Sequence, residues 1–506
     1  MKKTGAFTVL ALLTLLLLCF LPSLVSSGSD ETSTTSKDNW SMYRHDTERS
    51  GTTTSSAANN SLLWRTYTGP SPGSSPVGRL RSSPTVVDGI LYVGANNTSF
   101  YAIDTSSGAV IWEVDVGANV ESSAAVADGV VYVGVLWDGQ HGFVDALNAS
   151  TGSVIWRFVT NSGIESSPAV VNGVVYIGSY DGYVYALNAA NGALLWSYRT
   201  GGSTFSSPAI VDGVVYTGSI DGKVYALNAD TGDRLWSSQT ASSVYASPAV
   251  VNGTVYVNSD NGYLYALNAS DGSKIWRTFF GSGSDHADDS PAVAYGIVYV
   301  GSRNGYYAFN ATDGSQIWFF TSPYSNRQLT GYVYSSPAVS GDLVYFGFHD
   351  GYVFALDALS GSVVWAYRTG GFLFSSPAVV DGVLYIGSYD GYIYALGGSI
   401  ASYPPMPQPT PQPTAAPTPE PTPEPEPTSS PEATATPTST TQPTATPSPS
   451  PDPIVDQAAG ENSIVYPIDP QVTKPAEEEP INLFILAAVA IVAAIAIVTM
   501  FRVFKY

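Results

Sequence analysis

Side chains able to carry acid–base, nucleophilic or metal chemistry are scarce in this chain, whose 506 residues include four histidines and one cysteine. Asp285-His286-Ala287-Asp288-Asp289 gathers three carboxylates and an imidazole, hard donors of the kind Ca2+ takes. Its spacing matches no recognised metal loop, and an acidic loop facing water is the simpler account. His45, His141 and His349 have no serine or cysteine partner in a hydrolase context. Neither a phosphate-cradling glycine loop, a zinc pattern nor a catalytic triad is present. The expectation is a protein with no metal and no cofactor, so its chemistry must be sought in binding.

The elements that would position a binding site are strands. One phrase of roughly forty residues recurs eight times between Ser82 and Leu396, most cleanly as SSPAVVNGVVYIGSYDGYVYALNAANGALLW from Ser166 to Trp196. Each copy holds four short runs rich in Val, Tyr, Ile and Leu, parted by turn dipeptides. The first turn is Asp88-Gly89, Asp128-Gly129, Asn172-Gly173, Asp212-Gly213, Asn252-Gly253 or Asp381-Gly382, the signature of a two-residue type I′ hairpin. Copies six and seven depart, with Tyr295-Gly296 and Gly341-Asp342. Four-stranded units too thin to bury a core alone are stable when stacked about an axis, which predicts an all-β, eight-bladed β-propeller.

Copies end at Trp112, Trp156, Trp196, Trp236, Trp276, Trp318 and Trp365, but the one begun at Ser375 stops at Leu396-Gly397 without a tryptophan. Ser61 to Gly69 has the last-strand pattern, with Trp64, and no unit before it. That segment is expected to complete the eighth blade and close the ring. The eight tryptophans, Trp64 included, recur identically and are read as docking one blade on the next.

A specific site must come from positions that differ between blades. The residue before each Ser-Ser or its equivalent falls at the mouth of the central channel: Arg81, Glu121, Glu165, Phe205, Tyr245, Asp288, Tyr334 and Phe374. Four are charged and four aromatic, a rim suited to gripping a peptide or glycan. Gly281 to Asp289 and Ser322 to Val333 are loops expected to overhang it. The plainer alternative is a rim that merely plugs the channel.

The step Ala-x-Asp/Asn-x-x-x-Gly-x-x-x-Trp, seen at Ala102–Trp112, Ala146–Trp156, Ala186–Trp196, Ala226–Trp236, Ala266–Trp276, Ala308–Trp318 and Ala355–Trp365, resembles the tryptophan-docking motif of quinoprotein-type propellers, the pyrroloquinoline quinone (PQQ) repeat family. Asn39-Trp40-Ser41-Met42-Tyr43-Arg44-His45-Asp46 is similar to the lead-in of its prokaryotic surface members. The resemblance implies the fold; the same repeat serves redox enzymes, scaffolds and sensors. Enzymes of the family generally pair the propeller with two adjacent cysteines beside the quinone, a calcium held by Glu, Asn and Asp, and a catalytic Asp. The only cysteine here is Cys19.

Residues 1–27 read as a signal peptide, with Lys2 and Lys3 ahead of an apolar run from Ala6 to Leu21. The lead-in is 28–60 and the propeller 61–397. Residues 398–480 are Pro-, Thr- and Glu-rich, a disordered stalk of extended geometry that carries ten of the chain's 21 net negative charges. That acidity argues against nucleic acid as a partner. Residues 481–501 are long and apolar enough for a transmembrane helix, and Arg502 and Lys505 in the 502–506 tail place the C-terminus in the cytoplasm and the propeller outside. Sequons at Asn39, Asn59, Asn96, Asn97, Asn148, Asn252, Asn268 and Asn310 suit an external location. The turn asparagines among them are equally explained by bonds to their own backbone. The sequence therefore reads as a non-catalytic, membrane-anchored surface propeller that binds or scaffolds protein or glycan partners. A structural envelope or adhesion component is the alternative, and a PQQ-dependent dehydrogenase ranks below both.

Overall fold

The computed structural model describes residues 39–69, 80–137, 141–281, 289–324 and 333–397. The signal peptide, stalk and membrane span expected above lie outside them, as do Asp288 and most of the two overhanging loops. Among the described residues the secondary structure is all strand and turn. Two strands, β1 (Thr52–Thr53) and β2 (Leu62–Tyr67), precede the first blade, which is built from β3 (Thr85–Val87), β4 (Ile90–Gly94), β5 (Ser99–Asp104) and β6 (Val110–Asp115). Seven further sheets repeat this antiparallel order, one of them with β1 added as a parallel strand. The protein is an eight-bladed β-propeller.

The turn chemistry explains the hairpins. Asp88 and Gly89 take φ of 52° and 80°, and Asn172 and Gly173 take 51° and 75°, as a type I′ turn requires. Tyr295-Gly296 departs in sequence but not in shape, with φ of 56° and 71°. A tyrosine is strained there; its hydroxyl donates to the Gly341 carbonyl of the next blade at 2.6 Å. Gly341 takes φ of 55° on its own, and Asp342 is not in the left-handed region.

Tryptophan docking follows one rule around the ring. The Trp156 and Trp196 indole N–H groups each donate at 2.8 Å to the carbonyl of Ala189 or Ala229, in the third turn of the next blade. Trp64, Trp112, Trp236, Trp276 and Trp318 make the same bond to Thr105, Ala149, Ala269, Ala311 and Ala358. The turn glycine has two reasons to be glycine. Gly192 has φ of 71°, and a Cβ there would lie 2.7 Å from the Trp156 ring. A tyrosine on the second strand reaches the same carbonyl, as Tyr176 does to Ala229 at 3.2 Å. That shared acceptor was not visible in the motif, although the tyrosine recurs in every copy.

Closure is non-covalent. β2 pairs antiparallel with Tyr392–Gly397, Trp64 facing Ala395, with the same bulge before the tryptophan that the other outer strands show. Trp365 has no ordinary eighth turn to dock on and donates instead to the Ala58 carbonyl of the lead-in at 3.0 Å. The lead-in itself circles the channel beneath the blades. Backbone bonds join Trp40 to Val86, Ser41 to Val126, Thr47 to Ile210, Glu48 to Val250, Ser50 to Val293 and Gly51 to Val339. The backbone N–H of Asp381 in the eighth blade donates to the Ser55 hydroxyl at 2.9 Å. The third blade is reached by Arg49, whose Nη2 donates to the Ser167 and Pro168 carbonyls at 3.1 and 3.0 Å. Burial pulls the guanidinium groups of Arg49 and Arg44 below their ordinary value, to about 9 and about 10, so both remain charged at neutral pH.

Candidate binding site at the channel mouth

Each inner strand is preceded by a Ser-Ser-Pro or a variant, and the two serines have separate duties. The first holds its own blade: Ser82 accepts the Gly94 N–H and Ser166 the Gly178 N–H. The second joins neighbours. Ser83 N–H donates to the Ser123 hydroxyl, Ser123 to Ser167, Ser167 to Ser207, Ser207 to Ser247, Ser247 to Ser290, Ser290 to Ser336, Ser336 to Ser376 and Ser376 back to Ser83, all at 2.8 to 3.0 Å. These eight bonds form a closed crown around the channel axis, with one serine from every blade. Eight recurring serines were the sequence signal for it, but their separate duties depend on blade-to-blade contacts that no single copy contains.

Blade six overturns the reading of its acidic loop as water-facing throughout. Asp289 is fully buried and stands where six other blades have the first serine and blade five has Ala246, its Oδ2 accepting the Gly301 N–H at 2.5 Å. Asn258 of blade five donates to the Asp289 carbonyl at 3.0 Å. No group of three or more His, Cys, Asp or Glu among the described residues is placed to hold a metal ion.

Directly above the crown is a cavity of about 110 Å³, with Tyr43 of the lead-in as its floor. The Tyr43 hydroxyl lies 2.9 Å from the Ser336 hydroxyl and donates to that of Ser290 at 3.4 Å. Seven rim positions from the sequence line its wall: Arg81, Glu121, Glu165, Phe205, Tyr245, Tyr334 and Phe374. All seven are half-buried. The eighth, Asp288, is outside the described residues.

Chain order around the ring divides the wall into a charged arc on blades one to three and an aromatic arc beyond it. Arg81 pairs with Glu121 at 3.1 Å, donates to the Tyr389 hydroxyl at 2.9 Å and sits 5.3 Å from the Phe374 ring centroid. Its own burial opposes its charge most strongly, but Glu121, the Tyr389 hydroxyl and Glu165 together outweigh that and hold the guanidinium well above its ordinary pKa. Glu165 accepts the Tyr180 hydroxyl. Aromatic contacts continue from Tyr180 to Phe205 at 4.1 Å and on to Tyr245 at 4.9 Å. Across the channel, Phe374 stacks on Tyr334 at 4.5 Å and on Tyr389 at 4.1 Å. His349 stacks on Phe372 at 4.1 Å beside this group, and burial holds its imidazole below the ordinary value. His45 and His141 are elsewhere. Tyr180, His349, Phe372 and Tyr389 belong to second-strand ends and crossovers, which pattern reading had not assigned to the mouth.

The sequons divide by face. Strand order puts the first and third turns at the end away from the mouth, with Asn252 in a first turn and Asn148, Asn268 and Asn310 in third turns. Asn39 and Asn59 are in the lead-in at that end, and Asn59 is only 4% exposed. Asn96 and Asn97 are at the mouth end with their amides engaged, Asn96 on Glu121 at 3.3 Å and Asn97 on the Thr68 carbonyl at 3.0 Å.

Residues 80–284 match the family model described as beta-alanine-activating enzyme, beta-propeller, and residues 242–400 match that of outer membrane protein assembly factor BamB. No curated protein sequence matches the chain. Among solved structures it is similar to BamB from Moraxella catarrhalis, at 18% identity and a TM-score of 0.55 over 67% of this chain and 100% of that one. A quinohemoprotein alcohol dehydrogenase from Comamonas testosteroni gives 19% identity and 0.57, over 73% and 82%. The computationally designed Ika8 protein gives 18% and 0.55, over 64% and 98%. At such identity these likenesses show the fold alone. They agree with the eight-bladed fold, and the two matched models, each over less than half of the chain, are of propeller families, one of them of PQQ-like repeats.

The quinone that this class of repeat suggests does not suit the mouth. It is a planar tricarboxylate, whereas the described charged side chains of the lining are one arginine, already paired, and two glutamates. The cavity is also smaller than the roughly 300 Å³ at which small-molecule pockets begin.

Proposed function

We propose that this chain is a non-catalytic binding propeller, exported and anchored so that the propeller is outside the cell, which captures a protein or glycan partner at its channel mouth. One observation carries the proposal: the crown serine is the same in all eight blades, whereas the positions immediately above it differ and surround an open cavity. Identity there serves blade contact, and variation is what a partner can read. The match to a model named for an assembly factor supports a binding role for this repeat, though not the same partner. The rim offers stacking surfaces and hydrogen-bonding groups together, the mixture that peptides and glycans need.

The test is recovery of partners from detergent-solubilised membranes by the full chain and by a variant with Phe205, Tyr245, Tyr334 and Phe374 all replaced by alanine. Loss of a defined partner with an unchanged melting temperature is the expected result. Retention of the partner by the variant would move binding off the mouth, and dye-linked alcohol oxidation on adding PQQ and calcium would overturn the non-catalytic reading.

A further inference from the structure

We infer that the mouth is a receptor for a single primary ammonium group on an unbranched alkyl stem, delivered as a lysine side chain of a protein partner. This deepens the proposed binding role and rests on it. Three features of the cavity converge on that chemistry.

The first is charge. Among the described side chains of the lining, Arg81 is the one cation and Glu121 and Glu165 are carboxylates, so the wall carries an excess of one negative charge. Arg81 is drawn to Glu121 and Tyr389, on the blade-eight and blade-two side. The carboxylate of Glu165, which accepts the Tyr180 hydroxyl and acts on Arg81 through space, stands between Glu121 and Phe205 in ring order. The net charge of the described wall therefore favours a further cation over an anion.

The second is the aromatic arc. Ring faces attract cations within about 6 Å of their centroids. The structure already shows this in the mouth, where the Arg81 guanidinium lies 5.3 Å from the centroid of Phe374. Phe205, Tyr245 and Tyr334 extend the aromatic surface around the remaining wall, and their apolar bodies suit a methylene stem.

The third is the serine crown beneath the rim. Among the described residues, the hydroxyls of Ser83, Ser123, Ser167, Ser207, Ser247 and Ser376 each accept one backbone N–H. A hydroxyl has two lone pairs, so each keeps one more acceptor site. Acceptors arranged around an axis suit a compact ammonium with three rotatable N–H donors better than a planar guanidinium, whose donors lie in one fixed fork. The volume, about 110 Å³, admits one stem and head and no more.

The assay is titration calorimetry of the full chain in detergent with the peptide acetyl-Gly-Gly-Lys-Gly-Gly-amide. Control peptides carry norleucine, arginine or glutamate in place of lysine, and n-butylammonium supplies head and stem alone. The lysine peptide is expected to bind, at least tenfold more tightly than any control peptide and than n-butylammonium. Glu165→Gln should weaken it about tenfold. Arg81→Met should do the reverse and tighten it several-fold, because the guanidinium competing for Glu121 is gone. Both variants must melt as the parent does; if Arg81→Met does not, Glu165→Gln decides alone.

Failure of the lysine peptide to bind overturns the inference, as does equal or tighter binding of the norleucine, arginine or glutamate peptide. Indifference to Glu165→Gln also overturns it. Equal binding of n-butylammonium overturns the assignment to a protein lysine in favour of a free amine. If a membrane partner is captured through the rim while the lysine peptide does not bind, this inference fails and the proposed function stands.

Discussion

Trp196 and Tyr176 donate to one acceptor, the Ala229 carbonyl, at 2.8 and 3.2 Å, and both side chains are buried. This shared acceptor predicts a coupling energy whose sign and size follow from the geometry. Trp196→Phe keeps a ring in place but removes one donor; a net hydrogen bond of about 1 kcal/mol and a similar packing loss give roughly 2 kcal/mol. Tyr176→Phe removes only the weaker donor, about 1 kcal/mol. After either change the carbonyl still has a partner. The double variant leaves it buried with neither, and the desolvation penalty of an unsatisfied group adds about 1 to 3 kcal/mol to the sum. Total destabilisation should therefore be about 4 to 6 kcal/mol, with a coupling of at least about 1 kcal/mol. Urea unfolding followed by tryptophan fluorescence reads it, the slope staying constant across the four proteins. Additivity within about 0.5 kcal/mol would show that the carbonyl does not depend on these two donors, and would refute the account of blade docking.

Three further outcomes follow from the same contacts. Gly192→Ala should cost clearly more than Gly173→Ala: both have positive φ, but a Cβ at 192 meets Trp156 at 2.7 Å and one at 173 meets nothing within 4 Å; equal melting temperatures would remove the steric half of the argument. Burial raises the Tyr176 and Tyr216 hydroxyls and pushes Tyr385 up to about 12. These phenols ionise near pH 10 in the unfolded chain and stay protonated in the folded one, so stability is full below pH 10 and falls as pH rises towards 12. Thermal melts across that range check this, and a flat profile would contradict it. Deleting residues 61–69 should leave Tyr392–Gly397 as an open edge and convert a monodisperse protein into aggregates on size exclusion, whereas an unchanged elution and melting temperature would count against closure by β2.

The sequence carried the ring because its determinants are local and repeated. Asp-Gly and Asn-Gly pairs specify hairpins within one copy, and Trp64 stood out as a last strand without a blade. The rim was legible too, since the residue before each Ser-Ser has its place set by the strand that follows. What stayed hidden depends on contacts between copies or on a segment without a repeat. Tyr176 and Trp196 meeting on Ala229 cannot be read from one copy. The route of the lead-in follows no periodicity, so the burial of Arg44 and Arg49 under the channel and the placing of Tyr43 as its floor emerge only in three dimensions. Asp289 was misjudged because its acidic neighbours suggested water, whereas its register places it in the serine position of blade six.

The claim that the mouth is the partner-binding surface is tested most directly by photo-crosslinking in intact cells, with benzoylphenylalanine introduced in place of Phe205 or, separately, in place of the outer-strand residue Leu195. Leu195 is 50% exposed and far from the cavity, so it samples the periphery of the same ring. The account predicts a discrete cross-linked product from position 205 and none from position 195. A product from 195 with none from 205 would contradict it and assign binding to the outer edges of the blades.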